Sequence, residues 1–118
     1  MDSTSETATA TPVGVWKGAV EMPGNTFELE LRFTHDGKAV LHAAGGSEGK
    51  GTWRATGERS FNFQIIENFP GGRVRINQDA VLLDDTFRSA GTSKVYDAKG
   101  IFQQSVNPTV TATRVNGG

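Results

Sequence analysis

Cysteine is absent from this chain, which removes disulfide scaffolds, thiol nucleophiles and thiolate metal sites together. Long apolar runs are absent as well, so no segment reads as a membrane-crossing helix. Neither sign of charge is in excess: 12 Lys and Arg against 13 Asp and Glu leave a formal net charge of -1. That balance gives no overall electrostatic footprint for nucleic acid or an anionic membrane, and neither is expected as a partner. Histidine is scarce. The only two, His35 and His42, have no third ligand at metal spacing, so no metal and no other cofactor is expected. Sustained helical periodicity is also missing, which excludes half-barrels packed on a helix.

At 118 residues the chain is one domain, able to bury roughly two-thirds of its unfolded surface. That suffices for a solid core or a small lined cavity, but hardly for both. Residues 1–11 hold Ser, Thr, Ala and acid, with neither the basic start nor the apolar centre of a signal peptide. They are expected to be a disordered tail ahead of a domain over 12–116, with the protein in the cytoplasm.

What is present is alternation at period two, broken by Gly, Pro, Asn or Asp every ten to fifteen residues. The clearest case is Phe27, Leu29, Leu31 and Phe33 against Glu28, Glu30 and Arg32, one face dry and one wet. Strands are expected over 13–22, 26–34, 38–44, 50–56, 60–68, 73–83, 86–96 and 101–115. Asn107-Pro108 must break the last one with a bulge or bend. Asp36-Gly37 is expected to supply the positive φ angles of a type I′ turn. Eight antiparallel strands in a meander close into an all-β up-and-down barrel, whose interior is filled or holds one ligand.

Two segments at opposite ends of the chain sharpen this. Val13-Gly14-Val15-Trp16-Lys17-Gly18 opens the first strand and Ala112-Thr113-Arg114-Val115 ends the last. A Gly-x-Trp on the first strand with an arginine near the end of the last resembles the lipocalin and calycin barrels. That resemblance implies structural closure by Trp16 and Arg114, the guanidinium lying across the indole, with Gly14 and Gly18 leaving room beside the ring. The wider pattern, including Thr34-His35-Asp36-Gly37, Gly51-Thr52-Trp53, Val95-Tyr96-Asp97 and Thr111-Ala112-Thr113-Arg114, resembles short barrel proteins of actinobacteria. By fold analogy, such barrels include ligand carriers and cofactor-free cyclases of polyketide pathways.

The connections after strands two, four and six read as tight, and those after strands one, three, five and seven as longer or richer in glycine. One end is therefore expected to be sealed and the other open. Parity then lists the ligand-binding wall. Met22, Phe27, Leu29 and Leu31 come from the first two strands, and Trp53, Phe63 and Ile65 from the next. Ile76, Ser89, Ser93 and Phe102 complete it. An apolar sleeve with isolated polar groups suits a hydrophobic small molecule.

No nucleophile with a base is visible, since neither histidine falls on the inner parity. The run from Gly45 to Thr52 imitates part of a phosphate loop but precedes a strand, not a helix. Candidate catalytic groups are Glu67, a carboxyl whose pKa an apolar rim would raise, and Gln78 and Gln104 as donors to a carbonyl. The expected function is a cofactor-independent cyclase or isomerase of the cycloaddition type, acting on a polyketide-like substrate. The alternatives are a non-catalytic carrier and a packed barrel working through its outer surface, a homodimer being the assembly considered.

Overall fold

The computed structural model describes residues 11–115. The expected tail over 1–11 falls outside them except for Thr11, as does Asn116 of the expected domain. Nine strands form one antiparallel sheet: β1 (Gly14–Met22), β2 (Asn25–Phe33), β3 (Lys38–Ala43), β4 (Glu48–Ala55), β5 (Ser60–Phe69), β6 (Gly72–Leu83), β7 (Thr86–Asp97), β8 (Phe102–Val106) and β9 (Thr109–Arg114). No helix occurs among the described residues, so none is long and apolar enough to cross a membrane.

Neighbours in sequence pair in space from β1 to β8, and β9 inserts between β7 and β1. β8 and β9 are therefore two halves of one long strand, parted at Asn107-Pro108 as the sequence required. The result is a closed eight-stranded antiparallel barrel. Its lower half is shut by β9, which pairs Thr109 to Arg114 with Glu21 to Trp16, while β8 rides on β7 alone. The stagger is large. The row of partners that starts at Trp16 runs through Leu31, Leu41, Gly49, Glu67, Val74 and Val95 to Gln104, ten residues from Trp16's other partner, Arg114. Strands so staggered tilt strongly against the barrel axis.

The end where the start of β1 meets the end of β9 is sealed. Trp16 is fully buried, its Nε1 donating to the Pro12 carbonyl at 2.8 Å. The Arg114 guanidinium carbon stands 4.3 Å from the centre of that ring, and its Nη1 and Nη2 donate to the Val13 and Thr11 carbonyls at 2.7 and 2.8 Å. Gly14 is there because its φ is +136° and because a Cβ would stand 2.9 Å from Arg114 Nη1. Gly18 serves the neighbouring strand and not the indole, since a Cβ would fall 2.1 Å from the Thr111 carbonyl oxygen.

Above this seal lies an aromatic cluster. Phe33 sits at its centre, 5.3 Å from both Phe61 and Phe63 and 6.2 Å from Phe87, with Phe87 5.0 Å from Trp16. Edge and tilted pairs of this kind each contribute about 0.5–1.5 kcal/mol beyond the area they bury.

Two local expectations are corrected. The Asp36-Gly37 hairpin is not type I′, because only Gly37 has positive φ (89°). Gly37 N–H donates to the Thr34 carbonyl, and Thr34 N–H to the Lys38 carbonyl, at 3.2 and 2.9 Å. This is a type I turn with a glycine bulge, which a four-residue connection favours over the two-residue I′ form. The longer connections expected at the open end are also absent. Strands reach further than the glycines suggested, leaving Pro23-Gly24, 44–47, Pro70-Gly71 and 98–101 there, against 34–37, 56–59 and Asp84-Asp85 at the sealed end. Both ends use connections of two or four residues.

Candidate functional site

The end opposite Trp16 differs in what fills it. Phe27, on the inner parity of β2, is 47% exposed, and Met22 and Val20 beside it on β1 are half-buried. Across the mouth, one cross-strand row brings Gly49, Glu67, Val74, Val95 and Gln104 together. Glu67 is thus flanked by a glycine on one side and by two valines before the next polar group. A Cβ at Gly49 would stand 2.6 Å from Ile65 Cγ2 and 3.2 Å from Glu67 Cβ, so the missing side chain is what gives Glu67 its place.

The chemistry of Glu67 follows from these neighbours. Burial pushes its carboxyl above the ordinary value, and a hydrogen bond with Ser47 opposes the shift. Removal of water from an apolar rim penalises the anion more than one hydroxyl restores. Ser47 and Gly49 were not singled out in the sequence. The signal that points to them is register, since β4 begins at Glu48, two residues earlier than the alternation indicates.

The remaining predicted residues divide by depth. Leu29, Ile65, Ile76 and Ser93 lie one inward position below the rim, the first two and Ser93 buried and Ile76 half-buried. Leu31 and Phe63 are deeper and closed into the core at 0% and 1% exposure. Gln78, fully buried, donates through Nε2 to the Pro108 carbonyl at 3.2 Å and accepts from Ser89 Oγ at 2.7 Å. Its amide and the Ser89 hydroxyl are therefore partnered by protein, far below Glu67. Trp53 stands at the sealed end, with Nε1 donating to the Thr34 carbonyl at 2.8 Å and its ring 6.5 Å from Phe33 and from Phe61.

Phe102 is displaced from the expected wall. A β-bulge between Val95 and Tyr96 pairs Val95 with Gln104 but Tyr96 with Phe102, which turns Phe102 toward the outer face. There it lies 5.8 Å from the Tyr96 ring. A one-residue slip reverses the face of a side chain. Gln104 keeps the inner parity and is exposed at the rim.

Among the described residues no three His, Cys, Asp or Glu are grouped to hold a metal ion. His42 faces outward, its Nδ1 3.2 Å from Glu48 Oε2. No protein-family model matches this sequence, and no curated protein matches it in sequence comparison. The functional reading therefore rests on the geometry of the mouth.

Proposed function

We propose that the open end receives a hydrophobic small molecule and that Glu67 is the acid–base group of a cofactor-independent cyclisation or isomerisation there. The observation that carries this reading is the half-buried Glu67 carboxyl, raised above its ordinary pKa at an otherwise apolar rim. A carboxyl of that kind gives a proton to a substrate carbonyl in its acid form and takes one from carbon in its anionic form. Gln104, in the same row, is placed to donate to a polar end of the same molecule. The floor of Leu29, Ile65 and Ile76 contributes shape, and holding a flexible chain folded removes much of the entropic part of a cyclisation barrier. A polyketide-like substrate of actinobacterial secondary metabolism, met in the cytoplasm, fits this description and the resemblance noted in the sequence.

An anionic, environment-sensitive naphthalene dye tests the site. Saturable binding of one dye per chain is expected, about tenfold weaker in Phe27→Glu. It should tighten as pH falls through the Glu67 ionisation, and Glu67→Gln should abolish that pH dependence. Binding without turnover of any polyene or polyketide offered would leave a carrier.

A second reading is favoured by one observation. The Gln78–Ser89–Pro108 set is complete without a ligand, as expected of a packed barrel that works through its outer surface. Failure of the dye to bind, with a dimer on sizing, would select it.

A further inference from the structure

The outer wall holds a second feature, independent of the mouth. A groove of about 510 Å³ crosses β4 to β7 on their outward faces, a volume within the range of small-molecule sites. Three of its residues, Lys50, Arg75 and Lys94, share one cross-strand row with Ile66 between the first two. Arg75 and Lys94 are direct partners. Like charges directly opposite each other destabilise a sheet, so the fold carries this pair at a cost.

No carboxylate among the described residues pairs with it. Among the described residues, none of Lys50, Arg73, Arg75, Lys94 and Lys99 lies within ion-pair distance of a carboxylate. The direct and diagonal neighbours of Arg75 and Lys94 on the outer face are Ile66, Gln64, Asn68, Thr92, Tyr96, Ser105 and one another, with Arg73 and Asn77 beside them. The three carboxylates at the margin are engaged elsewhere. Glu48 meets His42, Asp79 accepts from Asn62, and Asp97 accepts from the Lys99 and Ile101 N–H groups and from Gln103.

The groove floor adds a donor. Asn62, 7% exposed, donates to Asn77 Oδ1 at 2.8 Å, which leaves the Asn77 Nδ2 as the free end of that amide. Tyr96 forms a flank, and beyond it a smaller recess of about 270 Å³ is lined by Arg73, Arg75 and Lys99. Cations therefore stand on both sides of one aromatic ring. The net charge of -1 hides this concentration.

We propose that this trough binds a small organic oligophosphate: two or more phosphoryl groups held by Lys50, Arg75, Lys94 and Arg73, with the body of the molecule against Tyr96 and Ile66. Guanidinium and ammonium groups with no carboxylate partner among the described residues are matched by phosphate oxygens. The aromatic and aliphatic flanks separate such a ligand from a bare anion.

The test is titration of the full chain with tripolyphosphate and with ADP, followed by amide shifts in a two-dimensional NMR spectrum. Both should perturb Lys50, Arg75 and Lys94, ADP should bind more tightly, and affinity should fall as salt rises. Arg75→Gln and Lys94→Gln should each weaken binding about tenfold, while Lys17→Gln and Arg32→Gln, on another part of the wall, should not. Without ligand, Lys94→Gln should unfold at a denaturant concentration no lower than the wild type, since it removes a repulsion. Dye binding at the mouth should be unchanged in these variants, so that failure here and failure of the mouth are distinguishable. The proposal is overturned if neither probe binds at millimolar concentration or if the two groove variants behave like the two controls. Binding of a single-stranded oligonucleotide in preference to both small probes would also overturn it.

Discussion

The two ends of this barrel are made from the same strands and joined by connections of the same two lengths, yet they are filled differently. At the sealed end a buried indole, a guanidinium and three backbone carbonyls satisfy one another, and four phenylalanines pack above them. At the mouth a phenylalanine on the inner parity stands half in water, and the Glu67 carboxyl is raised by its surroundings. The difference teaches that burial at each end is a matter of side-chain volume and strand pairing. Loop length has no part in it, because β9 closes on β1 while β8 continues alone on β7.

The largest effect should come from the contrast between Trp16 and Phe27. Trp16→Ala removes a fully buried ring and is expected to cost about 3–5 kcal/mol in denaturant unfolding. Phe27→Ala, at 47% exposure, should cost about 1 kcal/mol or less. Similar losses at the two positions would break the comparison.

Next in size is Arg114→Ala. It removes the contact with the indole and the stem packing, at about 1–2 kcal/mol. Hydrogen exchange should then quicken at the partners of β9 in β1, with little change in β6 or β8. Uniform loss of protection would mean that the seal is not a local device.

The smallest effect is the pH dependence of Glu67. Its ordinary value is 4.5 and burial raises it in the folded chain, so the folded state holds this proton more tightly than the unfolded one. The contribution is favourable below the unfolded pKa and is lost as pH rises through the folded pKa. Glu67→Gln, which does not ionise, should therefore be slightly more stable than the wild type at neutral pH. The difference should close below about pH 4. Equal stability of the two at every pH would place the carboxylate in water.

Much of the fold was legible. Alternation in Phe27 to Phe33 placed β2 within one residue at each end, and the Gly14–Trp16–Arg114 set placed the seal. The rim position of Glu67 was legible too, as the continuation of Phe61, Phe63 and Ile65 on one parity. Phe102 was not, because a bulge opposite Val95 and Tyr96 changes the face without leaving a mark in the residue types. Trp53 read as cavity wall for a related reason. Parity reports the face of a strand, but its height in the barrel depends on stagger, and Trp53 lies at the sealed rim against Thr34.

By itself, then, the sequence determined the strand count, the faces and the closure, since each rests on period-two patterning, glycine and proline at fixed places, and one cation for one ring. Which inner residues meet was decided only by the tertiary structure. A ten-residue stagger sets Glu67 in one row with Gln104 and sinks Gln78 against Ser89 and Pro108. The same register lines up Lys50, Arg75 and Lys94, which lie far apart in the chain. Such alignments depend on hydrogen-bond register between strands, a property of pairs that no single strand carries.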